Sequence, residues 1–300
     1  MSRLLVLGNA GLDFSLPVPR MPRPGETLVG GERRVAPGGK GLNQAVVACR
    51  TGLLPVDFLA PLGRDPEAAM VEAVLQAEGF AVLTLPRPGP ATDCSVLLVQ
   101  PDGENSIVTS GACAAALGAE AAASIVTALP PDAWLLLQGN LTAEATRAAL
   151  RTAAAAGIQA VLNPAPLFWD MRAMLPDCMV VIANAGEALE LTGAEGEAAA
   201  LALHRAGPWL AIVTLGAAGC VIATAGSVRH FSAPAVAAVD STGAGDTFCG
   251  VCAAMLALGA PVDAVITAAQ QAACLTVQRP GAFAALPDAA ELQAILRRAR

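Results

Sequence analysis

The run Asp240-Ser241-Thr242-Gly243-Ala244-Gly245-Asp246-Thr247 sets a carboxylate after a glycine turn and before an apolar stretch that reads as a helix. Gly243 and Gly245 let the backbone turn tightly. A helix starting there presents unpaired N–H groups and the positive end of its dipole at one point. With Ala244 they make an anion hole suited to a phosphoryl group gathering charge in transfer, where one lost donor costs about 3 kcal/mol in barrier. Asp246, the candidate base, stands where it could take the proton from an attacking hydroxyl. The plain alternative is a helix cap after a glycine turn, and this run alone leaves both open.

A second run, Gly38-Gly39-Lys40-Gly41-Leu42-Asn43-Gln44, again carries bare glycines into a helix. It is not a Walker loop: Arg34 stands where glycine is needed, and Gly41 follows the lysine in place of Ser or Thr. Lys40 and Asn43 lie one turn apart, so both could meet a polar ligand. Of 18 basic residues only Lys40 is lysine, a bias that singles it out as a place where arginine would not serve.

Residues so far apart need a scaffold to bring them together. Buried strands are predicted at Arg3–Gly8, Val56–Leu62, Trp134–Gln138, Ile158–Leu162, Met179–Ala183, Leu210–Leu215 and Cys220–Thr224. Helices are predicted over Leu42–Arg50, Ala143–Ala156, Glu195–Arg205, Asp246–Leu258, Val262–Val277 and Asp288–Arg298, with another opened by Asp65-Pro66-Glu67. The alternation implies a mostly parallel sheet covered on both faces. Two stretches stand apart. Phe14 to Pro37 is broken by prolines, and Cys94–Gln100 with Asn105–Ser110 reads as an extended pair turning at Pro101-Asp102-Gly103. We read them as one small β-layer, a lid formed by about 14–37 and 92–110 on a single domain spanning 1–300.

Composition narrows the function classes. Hydrophobic residues make up 55% and charged residues 14%, so a membrane span must be tested. The longest uncharged stretch, Gly207 to Val228, is cut by Pro208, Gly216, Gly219 and Gly226 into pieces that suit buried strands. The N-terminus carries no export signal, which predicts a cytoplasmic protein with eight reduced cysteines. Cys249 and Cys252 form a lone CxxC best read as core packing, and two histidines are too few for a histidine-based metal site. A net charge of −7 argues against nucleic acid as a partner.

Together the two glycine runs resemble the N- and C-terminal signatures of the ribokinase-like (PfkB) carbohydrate kinase family. Asn9 through Asp13, Pro24-Gly25-Glu26-Thr27, Asn163-Pro164-Ala165-Pro166, Asn184 with Glu187, and Thr214-Leu215-Gly216 with Gly219 follow that family's order. The resemblance implies a three-layer α/β/α sandwich with a small β-sheet lid, and ATP-dependent transfer to a primary hydroxyl of a sugar such as ribose. It implies that Asp13, Gly39, Lys40, Asn43 and Asn140 hold the sugar that Asp246 deprotonates. It places Asn184, Glu187, Thr214, Gly216, Gly219, Gly245 and Gln270 at the nucleotide, with Glu187 on the Mg²⁺ side. Asp240 and Thr242, with carbonyls near Thr276, Arg279 and Gly281, match a monovalent-cation (K⁺) site. Three departures stand out: Asn140 replaces a usual glutamate, Ala218 a usual basic residue, and Ala285 a usual serine.

The lid would expose Leu16, Val18, Val96 and Leu98, which predicts a homodimer formed lid to lid. A nucleoside kinase of the same fold is the alternative within this class. Outside it stand a non-catalytic sugar-binding protein and a nicotinamide-dependent oxidoreductase, the latter raised by Gly8-Asn9-Ala10-Gly11 after the first strand.

Overall fold

The computed structural model describes residues 2–101 and 105–299, so Asp102 and Gly103 of the expected turn lie outside the described residues. The chain begins β1 (Leu4–Leu7), β2 (Gly11–Pro17), β3 (Arg34–Gly38), α1 (Lys40–Arg50), β4 (Val56–Leu59), α2 (Pro66–Ala77), β5 (Val82–Thr84), β6 (Asp93–Val99) and β7 (Asn105–Thr109). It continues with α3 (Ala112–Ala115), α4 (Ala119–Thr127), β8 (Trp134–Leu137), α5 (Ala143–Ala156), β9 (Gln159–Leu162), β10 (Val180–Asn184), α6 (Ala185–Thr192) and α7 (Gly196–Arg205). Then come β11 (Leu210–Thr214), β12 (Cys220–Thr224), β13 (Ser227–Phe231), α8 (Ala244–Leu256), α9 (Val262–Val277) and α10 (Ala289–Ala299).

The main sheet has nine strands in the order β13-β12-β11-β10-β9-β8-β1-β4-β5. Only the β11–β12 and β12–β13 pairs are antiparallel. Its strands are short apolar runs because both faces are covered. Alternate residues feed two separate cores. Leu4, Val6, Phe58, Ile182 and Ile212 pack toward α1, α8 and α9. Leu5, Leu7, Leu137, Val181 and Val213 pack toward α5 and α7. This is the expected three-layer α/β/α arrangement. A smaller separate sheet, ordered β3-β2-β6-β7, carries Asp13, Ser95 and Thr109 in register on one face and Phe14, Val96 and Val108 on the other.

Local signals explain most element ends. Asp65 accepts a hydrogen bond from the Ala68 N–H at 2.9 Å and Pro66 opens α2. The uncharged stretch from Gly207 resolves into β11, a tight turn and β12. Among the described residues no helix is long and apolar enough to cross a membrane. The expected strand to Leu62 ends at Leu59, although Ala60 and Leu62 N–H groups still reach the Thr84 and Pro86 carbonyls. Neither edge strand is in the sequence prediction: β5 is only three residues within Phe80–Leu85, and β13 has no apolar run, with Ser227, Arg229 and His230 exposed.

Two close approaches place the chemistry. A Cβ on Gly41 would lie 2.5 Å from the Asn9 nitrogen, so only glycine lets α1 start against the end of β1. A Cβ on Gly250 would lie 2.7 Å from the Gln44 carbonyl oxygen, so α1 and α8 cross nearly backbone to backbone. That crossing carries Asn43 and Gln44 of α1 up to Asp246 in the first turn of α8.

Candidate active site

A cleft of about 1250 Å³ opens between the small sheet and the carboxyl ends of the central strands. Ligands bind at this edge of open α/β sheets, outside the strand carboxyl ends. Its lining brings together Asp13, Gly39, Lys40, Asn43, Asn140, Asn184, Thr214, Gly216, Gly219, Thr242, Gly243, Ala244, Gly245, Asp246 and Gln270. Residues expected from two glycine runs and several isolated positions thus share one wall. Glu187, Asp240, Thr276, Arg279 and Gly281 do not line it.

Asp246 is buried, at 6% exposure, yet borders the cleft. Asn43 Nδ2 donates to its Oδ2 at 3.1 Å, and Gln44 Nε2 donates to its Oδ1 at 3.0 Å. Lys40 Nζ stands 3.8 Å from Oδ1. The Asp246 carboxylate holds the Lys40 ammonium above its ordinary range, outweighing the burial that opposes it, with a smaller contribution from Glu187. Gly243, at φ 83°, turns the chain into α8 without a side-chain cap. Ala244 N–H donates to the Ser241 carbonyl at 3.3 Å and Thr247 N–H to the Gly243 carbonyl at 2.9 Å. Gly245 and Asp246 carry the other first-turn N–H groups at the positive helix end, and both residues line the cleft.

The acceptor half has a different character. Asn43 Oδ1 and Asn140 Oδ1 are buried with no hydrogen-bond partner, and both residues line the cleft. Buried acceptors left unpaired are costly, so two of them on residues that line the cleft suit a ligand with hydroxyl donors. Asp13 faces the same space. Burial, helped by the nearby Asp246 charge and opposed by a hydrogen bond from Ser95, pushes its carboxyl up to about 6. A Cβ on Gly38 would lie 2.4 Å from that carboxyl, so the glycine is what lets β3 pass over it.

On the far side, Thr214, Gly216 and Gly219 form the turn after β11. A Cβ on Gly219, at φ 98°, would meet the Phe231 carbonyl oxygen at 1.9 Å. Gln270 spends its Nε2 on the Phe231 carbonyl at 2.9 Å. Asn184 and Glu187 form a reciprocal capping box on α6: Glu187 N–H donates to Asn184 Oδ1 at 2.8 Å, and Asn184 N–H to Glu187 Oε2 at 2.8 Å. Burial raises the Glu187 carboxyl, against the pull of the Asn184 N–H and Lys40. Both Glu187 oxygens accept from Asn184, Oε2 from its N–H and Oε1 from its Nδ2 at 2.7 Å, so the carboxylate stands one residue behind the cleft wall that Asn184 forms.

The residues matched to a monovalent cation also hold the loop that precedes α8. Asp240 Oδ1 accepts from Thr242 N–H and Oγ1–H, at 2.9 and 2.6 Å, and Oδ2 accepts from Gly281 N–H at 2.8 Å. Burial pushes the Asp240 carboxyl up, but these donors together outweigh it and hold it below its usual range. Thr276 is fully buried, with its hydroxyl against Thr247 Oγ1 at 2.8 Å and its carbonyl accepting from Arg279 N–H. Arg279 pairs with Glu291. Ala285 offers no side-chain oxygen. These hydrogen bonds tie the α8 turn to the end of α9.

Sequence reasoning gave no role to three side chains behind Asp246, although Gln44 and Asn163 lie in runs it singled out. Gln44 Nε2 also donates to Asn163 Oδ1 at 3.0 Å, Gln138 Nε2 donates to Gln44 Oε1 at 2.8 Å, and Asn163 Nδ2 donates to the Ile182 carbonyl at 2.8 Å. Each is a polar residue within an apolar helix face or at the end of an apolar strand, which is the signal that could have found them. The loop Gly8–Gly11 settles another expectation: it runs into β2 and not into a helix, so no dinucleotide-type strand-to-helix turn exists there.

Comparison with known proteins is consistent with this geometry. The sequence profile of "pfkB family carbohydrate kinase" matches residues 1–289. A ribokinase of Haemophilus influenzae is 31% identical over 295 residues, covering 96% of either chain. A mouse ribokinase is 29% identical, covering 95% of this chain and 91% of its own. Among solved structures, a Thermotoga maritima ribokinase superposes with a TM-score of 0.89 at 26% identity, covering 98% of this chain and 99% of its own. An Arabidopsis thaliana ribokinase, solved with ribose and ATP, gives 0.83 at 25% identity over 98% of both chains.

Proposed function

The chain belongs to the pfkB family of carbohydrate kinases, and from that premise we propose that it transfers the γ-phosphoryl group of ATP to a primary hydroxyl of ribose or a closely related sugar. The observation that carries this reading is the buried Asp246 carboxylate beside an uncapped helix start, facing two orphaned amide oxygens. The relatives named ribokinase, and the Arabidopsis structure holding ribose and ATP, support ribose as the acceptor.

In this account Asn43, Asn140 and Asp13 accept hydrogen bonds from sugar hydroxyls. Lys40 and Gly39 close the same subsite. The acceptor oxygen attacks the γ-phosphorus, its proton passes to Asp246, and the bond from phosphorus to the bridging β,γ oxygen breaks to leave ADP. Charge gathering on the transferred group meets the Gly245 and Asp246 N–H groups. Such transfer depends mainly on positioning and electrostatics. The Gly243–Ala244 turn sets the direction of that hole. Thr214, Gly216, Gly219 and Gln270 line the nucleotide half. Magnesium, held on the Glu187 and Asn184 side, would neutralise phosphate charge. A potassium ion held by Asp240 and by carbonyls near Thr276, Arg279 and Gly281 would order the turn that leads into α8.

The small sheet acts as a lid on one domain, its inner face carrying Asp13, Ser95 and Thr109 over the sugar and excluding water when closed. Its outer face bears Val96 and Val108, 44% and 75% exposed, beside the partly buried Phe14, Leu16 and Leu98. Val18, expected on that face, is buried. A second copy of the chain would cover the patch, giving a lid-to-lid dimer. A monomer by sedimentation at micromolar concentration would contradict it.

The reaction itself is tested by ADP release across ribose, other pentoses, hexoses and nucleosides. Ribose is expected to give the highest kcat/KM. Preference for nucleosides would replace the sugar reading with that of a nucleoside kinase, and no turnover with any acceptor would favour a binding protein.

A further inference from the structure

Gln44 is fully buried, carries no charge and does not line the cleft, yet it is the residue through which the candidate base meets the sheet. Its amide is fixed by chemistry. The two N–H bonds of Nε2 go to Asp246 Oδ1 and Asn163 Oδ1, both at 3.0 Å, and both partners are acceptors. Turning the amide over would set an oxygen against two oxygens, so only one orientation is satisfied. Its own Oε1 receives Gln138 Nε2 at 2.8 Å from the end of β8. Asn163, at the end of β9, is pinned in turn by donating to the Ile182 carbonyl of β10. Gln138, Gln44 and Asn163 thus form a chain of amides in which every donor has a direction, anchored to three adjacent strands and ending on the carboxylate.

We infer that Gln44 is a positioning residue for phosphoryl transfer, fixing the side-chain rotamer of Asp246 so that one carboxylate oxygen meets the acceptor hydroxyl. The inference rests on Asp246 being the base. Asn43 holds the other oxygen, Oδ2, at 3.1 Å, but it lines the cleft and leaves an unpaired oxygen toward the sugar. Gln44 touches neither the cleft nor any ligand that fills it, so its effect must pass through Asp246. A general base works only within hydrogen-bond reach of the proton it takes, and misplacement by about 1 Å costs about 100-fold in rate. Gln44→Met keeps the length and the apolar packing but withdraws the donor from Asp246.

The test is a double-variant cycle on the full chain with ATP and ribose. Gln44→Met is expected to lower kcat by about 100-fold while the sugar KM stays within about threefold, and to cause no further loss when placed in Asp246→Asn. Asn163→Ala, which removes the amide's other acceptor, should lower kcat by about tenfold with the same lack of additivity. Melting temperatures and ADP affinity, measured in parallel, separate loss of the fold from loss of position. Losses that multiply in the Asp246→Asn background for both variants would overturn the positioning role and leave only a structural one. Near-normal turnover of Asp246→Asn by itself is a different result: it would overturn the base assignment beneath the inference.

Discussion

Replacing Asp13 by asparagine should stabilise this protein while impairing it. The carboxyl lies between the small sheet and the central strands, packed against Gly38 and within the field of Asp246. Burial raises it from the ordinary 3.8 to about 6. At about 1.4 kcal/mol per pH unit, holding that group ionised in the fold costs about 3 kcal/mol. The direction follows from proton counting. Below the unfolded value both states are protonated and the cost vanishes. Between about 4 and 6 the folded chain keeps a proton that the unfolded chain has lost, so stability falls as pH rises. Above about 6 both states are ionised and the whole cost is present.

Asparagine keeps the shape and an acceptor for Ser95 but never ionises. Urea unfolding of both proteins between about pH 4 and 8 should therefore show equal stability at the acid end, diverging to about 3 kcal/mol in favour of Asp13→Asn at the alkaline end. The sugar KM should rise in the variant, because an acceptor oxygen for the sugar has been lost, and the wild-type kcat/KM should climb through about pH 6 as Asp13 ionises. Stability curves that run parallel across the whole range would refute the reasoning, since they would mean that Asp13 carries no buried charge.

Two further outcomes follow from the same geometry. Gly243→Ala puts a Cβ on a residue at φ 83° and 3.2 Å from the Ala282 carbonyl oxygen, so it should cost about 1 kcal/mol in strain, shift the first turn of α8 and cut kcat about tenfold by steady-state assay. Asn140→Asp replaces an unpaired amide by a carboxylate in the acceptor subsite, and should change the ranking of pentoses by kcat/KM about tenfold, read from an ADP-release panel.

The parts of this site that were legible in the sequence are those whose chemistry needs glycine or lysine. Gly243 and Gly39, both at positive φ, announce helix starts with bare amides, because other residue types adopt that backbone only under strain; Gly245 sits in the first turn of α8 with room for a side chain. The alternating strands and helices were equally plain, since a sheet covered on both faces writes each strand as an unbroken apolar run. What escaped is the support behind Asp246. Gln44 meets Gln138, Asn163 and Asp246, which lie 94, 119 and 202 positions away, and no spacing rule connects single amides across such distances. The same limit applies to Asp240. Its carboxylate holds the loop by accepting from the N–H groups of Thr242 and Gly281, the latter 41 positions away. Edge strand β13 was missed for a plainer reason: it packs on one side only, and its outward residues are polar.

The central claim is that Asp246 takes the proton from the acceptor hydroxyl, and Asp246→Asn tests it most directly. The amide preserves the size of the side chain while removing the basicity, and its one oxygen can accept from Asn43 or from Gln44 but not from both. Measured with ATP and ribose, kcat should fall by about 100-fold or more while ATP binding, followed by calorimetry, stays within about threefold. Turnover close to wild type in a variant that binds ATP normally would contradict the account.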